Sequence, residues 1–156
     1  MTRVFRPQVV RRGLLGAVIV LAAIQFVPVD RSNPPVETEV PAPATVRSVL
    51  RRACYDCHSH ETAWPWYSRV APFSWLVERD VREGRKELNF SAWNRLDAKR
   101  KARKVKETWK EVSEGEMPPW FYTAVHRDAA LSSADRAALR DWSLGPTSEP
   151  GKEGGR

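Results

Sequence analysis

The chain has 156 residues and a formal net charge of +7, enough for one domain with appendages. It has 12 prolines, 7 tryptophans and only 2 cysteines. The sequence contains no internal repeat, glycine-rich phosphate loop, serine-centred elbow or clustered carboxylate pair, which excludes repeat scaffolds and the commoner nucleotide and hydrolase chemistries.

Residues 1–12 carry Arg3, Arg6, Arg11 and Arg12 and no acid. The run from Gly13 to Val29 is uncharged, and at 1.5 Å per residue it reaches about 25 Å, near the lower limit for a bilayer span. A basic start before an apolar run also describes a secretory signal. No small-x-small cleavage site follows closely, because Ala42-Pro43-Ala44 lies too far on, so residues 1–29 are expected to form an uncleaved signal-anchor spanning at 13–29. Arg11-Arg12 has poor surroundings for a twin-arginine signal. The positive-inside rule puts the N-terminus in the cytoplasm and the rest outside, as a single-pass bacterial inner-membrane protein facing the periplasm. Residues 30–44 are proline-rich and poor in large apolar side chains. They are expected to be an extended linker holding the domain a few tens of Å from the membrane.

The folded domain is expected at 45–145, opening with a short helix capped by Thr45 or Ser48. That helix delivers Cys54-Tyr55-Asp56-Cys57-His58, the C-x-x-C-H signature of covalent haem attachment. On one helical turn, positions i, i+3 and i+4 share a face. Cys54 and Cys57 can then form thioethers with two vinyl groups, while His58 offers a nitrogen to the iron. Such attachment occurs outside the bacterial inner membrane, in agreement with the orientation read from the arginines. A dithiol redox pair, half a zinc site and a disulfide are the rival readings of C-x-x-C. A dithiol pair needs no following His, and zinc finds only two Cys and His58, His60 and His126, without the usual partner spacing.

Residues 59–73 read as an ordered aromatic loop along the porphyrin, with His60 exposed or bonded locally. A helix follows from about Pro72 to Glu87, with Phe73, Leu76 or Val77, and Val81 as its apolar stripe. The next begins at Ser91 or Asn94 and runs to Glu114, with Ala98, Ala102, Val105, Trp109 and Val112 inward and Gly115 as its stop. Its other face, from Arg95 to Lys110, has eight Lys and Arg against Asp97 and Glu107. That face is either solvated or docks an acidic redox partner or anionic lipid; nucleic acid is not expected outside the cytoplasm.

Met117 is the sole methionine besides Met1 and sits in a proline-stiffened loop, so it is the expected sixth iron ligand, with His126 as the alternative. Tyr67, the Trp N–H groups and Arg or Lys could pair the propionates. The nitrogen of His58 away from iron should donate to a backbone carbonyl. A last helix opens with the capping box at Ser132–Asp135 and ends at Leu144 before Gly145-Pro146. Residues 146–156 read as a disordered tail.

In outline this order resembles the all-α small cytochromes c, whose first and last helices cross beside one covalently attached haem. More closely, CYDCHSHETAWPWYSRVAPFSWLVERDVREGRKELNFSAW and GEMPPWFYTAVHRDAALSSADRAALRDW resemble the bacterial haem-binding-domain family over about residues 45–144. The resemblance carries attachment and proximal ligation onto Cys54, Cys57 and His58. It carries the family's G-x-M-P-P segment onto Gly115, Met117, Pro118 and Pro119, and its following His onto His126. It implies haem binding and electron transfer. The expectation is therefore a monohaem carrier of single electrons rather than an enzyme. A haem peroxidase or a gas or redox sensor with an open distal face is the alternative, and a non-haem thiol or zinc module the second alternative.

Overall fold

A computed structural model of the chain describes residues 7–145. The expected tail at 146–156 and the arginines at 3 and 6 lie outside them. Seven α-helices form among the described residues: α1 (Pro7–Ala23), α2 (Ala44–Ala53), α3 (Tyr55–His58), α4 (Phe73–Glu87), α5 (Ala98–Glu114), α6 (Trp120–Val125) and α7 (Ser133–Leu144). No strand forms among them; one isolated bridge pairs Thr38 with Ala92. The fold is all-α, as expected.

The core gathers Val46, Val49 and Leu50 of α2, Val112 of α5 and Leu139 of α7. Each fully buried Leu or Val side chain contributes about 1.5–3 kcal/mol relative to exposure. Helix α2 packs on α7, and the Arg52–Asp135 ion pair at 2.9 Å joins them. This is the first-to-last helix pairing that the cytochrome-like outline anticipates. The predicted capping box is present: Asp135 N–H donates to Ser132 Oγ, and Ser132 N–H donates to Asp135 Oδ2. Helix α5 ends where Gly115 turns left-handed at φ 81°, a conformation open to glycine without a Cβ clash.

Several boundaries differ from the expectation. Helix α2 starts at Ala44 behind Pro43 with no side-chain cap. Helix α5 starts at Ala98 because Asp97 Oδ1 accepts Arg100 N–H at 2.8 Å, a stronger local signal than Ser91 or Asn94. Ala98 and Ala102 lie beyond the core, so the buried stripe begins at Val105. The expected stripe of α4 is half inverted. Ser74 and Val81 are buried, whereas Phe73 and Leu76 are 57% and 51% exposed.

The larger correction concerns residues 30–44, which are no free linker. Val40 is 1% exposed in the core. The backbone N–H groups of Glu37 and Thr38 donate to Ser91 O at 2.9 and 3.2 Å. Asn33 Nδ2 donates to Thr62 O, and Arg95 pairs with Glu37. The segment is a strap across the domain. Its composition suggests solvation, but its backbone groups find partners that composition alone does not reveal.

Helix α1 is the apolar element. Residues Gln8–Phe26 are long and apolar enough to cross a membrane, and none of that stretch is buried. Its length, composition and N-terminal place suit a membrane anchor or a signal sequence alike.

Candidate haem site

Helix α3 is a single turn in which the N–H groups of Cys57 and His58 both donate to Cys54 O, at 3.2 and 2.9 Å. Each residue of the turn faces a different neighbour. Tyr55 is buried and stacks on Phe90, with centroids 5.4 Å apart. Asp56 accepts Ala63 N–H at 2.9 Å and the Tyr122 hydroxyl at 2.7 Å. Cys57 is pressed against α4: a Cβ added to Gly84 would lie 2.5 Å from Cys57 O and 3.0 Å from Cys57 Cβ.

Cys54 and His58 face a cavity of about 470 Å³, a volume within the usual range for ligand sites. Ala53, Leu88, Phe90, Val112 and Pro118 form its apolar wall, and Met117 lies in the same lining. Helix α5 contributes Thr108 and the charged groups of Lys104, Glu107, Lys110 and Glu111, with Glu87 from α4. Cys57 is not part of that lining: the shared face expected from the spacing holds for Cys54 and His58, while Cys57 is packed against Gly84 of α4.

The His58 ring is fixed in one sense. Its Nδ1 lies 2.8 Å from Gly84 O and 3.1 Å from Leu88 O. Both partners only accept, so Nδ1 carries the proton and Nε2 keeps its lone pair. The expected backbone carbonyl partner is therefore present twice over. Burial pushes the imidazole below its ordinary pKa, outweighing the two backbone hydrogen bonds that favour the charged form. A neutral ring with a free Nε2 is the form in which histidine binds a metal.

The rival chemistries find less support. Both cysteines are free thiols. Burial pushes both up to about 12, with Asp56 and Asp80 adding to the rise at Cys57, the opposite of the lowered value a thiolate nucleophile needs. Among the described residues no three His, Cys, Asp or Glu side chains converge as metal donors. His126 lies away from the cavity: its Nε2 hydrogen-bonds Tyr67 Oη at 2.7 Å, and its ring stacks on Tyr122. His60 is buried rather than exposed. It takes Asn89 Nδ2 on Nε2 and donates from Nδ1 to Pro35 O, both at 2.8 Å, thereby holding the strap.

Some expected contributors lie elsewhere. None of the seven tryptophans lines the cavity: Trp93 is core, while Trp66 and Trp120 are exposed. Residues 59–73 do not line it either. They wrap the Asp56 side of the turn, where Thr62 Oγ1 donates to Asp56 O at 2.7 Å. Tyr67 is engaged with His126, and the two cationic residues of the lining, Lys104 and Lys110, pair with Glu107 and Glu114 at 2.8 and 3.7 Å. Sequence reasoning missed Gly84, although an isolated glycine inside a helical pattern is a signal for close packing. It also missed Arg85, which donates to Ser59 O, Ser32 O, Asn33 Oδ1 and Thr62 Oγ1 and so ties α4 to the strap and to the residues after His58.

The residues present fit a haem: a cavity with one apolar wall, the free thiol of Cys54, an imidazole with its nitrogen available and a thioether, with the second free thiol, Cys57, on the same turn against α4. A family model described as a haem-binding domain matches residues 19–144. No curated protein and no solved structure matches the chain.

Proposed function

This chain belongs to the haem-binding-domain family, and from that premise we propose that it is a monohaem c-type cytochrome domain carrying single electrons outside the cytoplasmic membrane. Cys54 and Cys57 would hold one haem by addition of each S–H across a vinyl group, sulfur to one carbon and hydrogen to the other, with no change in total oxidation level. His58 Nε2 and Met117 Sδ would be the donors that hold the iron. When bound, haem supplies an iron centre that exchanges one electron at a time.

The protein's residues prepare the site for that exchange. Gly84 and Leu88 hold the His58 ring in one tautomer, so the proximal donor needs no rearrangement between redox states. Phe90 packs edge-on against His58, at 6.5 Å between centroids, and restrains its tilt. A thioether donor beside an imidazole donor would favour the reduced state and raise the potential. Lys104 and Lys110, in the lining, would neutralise the propionates by exchanging their pairings with Glu107 and Glu114.

The observation that carries this reading is that His58, with its nitrogen free, shares one cavity with Met117 while His126 does not. A thioether available in the cavity favours a filled sixth position over an open face for peroxide or gas. The helix α1 would remain as the anchor, with the domain on the periplasmic side.

The test is the visible and near-infrared spectrum of protein matured with the haem-attachment machinery, followed by acid-acetone extraction and a pyridine haemochrome. Colour that resists extraction and a band characteristic of sulfur ligation are the expected results. Extractable colour would remove covalent attachment, and a high-spin spectrum would favour the open-face alternative.

A further inference from the structure

We propose that the haem domain lies against the lipid surface through the face formed by Trp66, Val70, Phe73 and Leu76, instead of standing away on a tether. This rests on the reading of α1 as a retained membrane anchor.

The position of this face follows from one paired contact. Gln25 sits in the last turn of the apolar stretch Gln8–Phe26. Its side-chain amide joins the backbone of Ala71 in both directions: Ala71 N–H donates to Oε1 at 2.9 Å, and Nε2 donates to Ala71 O at 3.2 Å. A span that ends at Gln25 in the headgroup region therefore places Ala71 there too. The strap prevents the domain from swinging away, because Arg31 donates to Ser68 O at 3.3 Å and Arg85 donates to Ser32 O at 3.0 Å.

The residues around Ala71 suit that level. Trp66, Phe73 and Leu76 are 77%, 57% and 51% exposed, and Val70 and Phe26 are also exposed. The segment 66–69 packs on α4, so these side chains belong to one region. Between Glu61 and Glu78 the only charged residue is Arg69. Exposed aromatic residues beside a base match the interfacial belt of an anionic membrane; the first acid on this side of α4 is Asp80, one turn beyond Leu76. This accounts for the inversion of α4: Ser74 and Val81 face the domain, and Phe73 and Leu76 face lipid.

The test uses the full, haem-loaded chain in vesicles of phosphatidylcholine and phosphatidylglycerol. The photocrosslinker p-benzoylphenylalanine is placed singly at Val18 in α1, at Phe73, or at Lys99 on α5, and lipid adducts are quantified by mass spectrometry. The expected yield at Phe73 approaches that at Val18 and exceeds that at Lys99 by roughly tenfold. Adducts at Val18 with none at Phe73 would overturn the proposal and leave the anchor intact. Absence at both positions would remove the anchor reading and this proposal with it. Phe73 adducts to protein, whether a second copy or a partner, would also overturn it. The double variant F73S/L76S, with Val18 as the crosslinking position, is expected to keep its haem and its lipid adducts at Val18. Its backbone at Ala71–Leu76 should exchange deuterium several-fold faster in vesicles than the wild type; an unchanged rate would count against lipid contact.

Discussion

Gly84 serves His58 through its backbone and Cys57 through its missing side chain. Its carbonyl oxygen lies 2.8 Å from His58 Nδ1, and a Cβ at this position would stand 2.5 Å from Cys57 O. One glycine therefore sets both the approach of α4 to the Cys54–His58 turn and the orientation of the His58 imidazole.

Replacement of Gly84 by alanine tests this relationship. In an open helix the change would stabilise by about 1 kcal/mol. Here the methyl meets backbone, which cannot rotate aside, and overpacking costs about 1–3 kcal/mol. The clash should win. Chemical denaturation of Gly84→Ala should show net destabilisation, and the pyridine haemochrome should show less haem per chain. A gain in stability would mean that α4 and α3 are less tightly apposed.

Met117 and His126 separate by spectroscopy. Met117→Ala should keep its thioether-bound haem but lose the near-infrared sulfur band, with a lower reduction potential. His126→Ala should keep both, since that ring is occupied with Tyr67 and Tyr122. The reverse pattern would assign the sixth position to His126.

The docked strap gives a stability prediction. Val40 is 1% exposed, and truncation to alanine removes two buried carbons at about 0.8 kcal/mol each, plus the cavity left behind. Val40→Ala in the detergent-solubilised full chain should lose about 2 kcal/mol by denaturant titration. A free linker would give no change.

Asp135 carries an acid dependence. Burial opposes its ionisation, but hydrogen bonds from Ser132 and the Arg52 guanidinium outweigh it and hold the carboxyl below its ordinary value. A carboxylate depressed on folding contributes its stability above the unfolded value of about 3.9, and that contribution is lost as pH falls through the lower folded value. Asp135→Asn should cost about 1 kcal/mol at neutral pH. It should also flatten the loss of stability of the wild type below about pH 4. Parallel pH profiles for the two proteins would show that the α2–α7 contact does not depend on this charge.

Much of the site was legible because it is local. Cys54, Cys57 and His58 fall within one turn, and their spacing together with the residues around it made haem the expected occupant. The capping box at Ser132 and the stop at Gly115 are likewise decided within four residues, as is the apolar length of α1. Met117 could be singled out from its chemistry and its proline neighbours, without knowing what it faces.

Tertiary structure decided which distant groups meet. Composition made residues 30–44 look like a solvated linker, because it does not register that Ser91, His60 and Arg85 supply partners for their backbone. Periodicity placed Phe73 and Leu76 inward, since an apolar side chain carries no label telling a buried position from an exposed one. Nothing near Gly84 in the chain marks the close approach of Cys57, 27 positions earlier. Short-range spacing is set by covalent geometry and survives in any one-dimensional reading; the pairing of remote backbones depends on how the whole chain closes on itself.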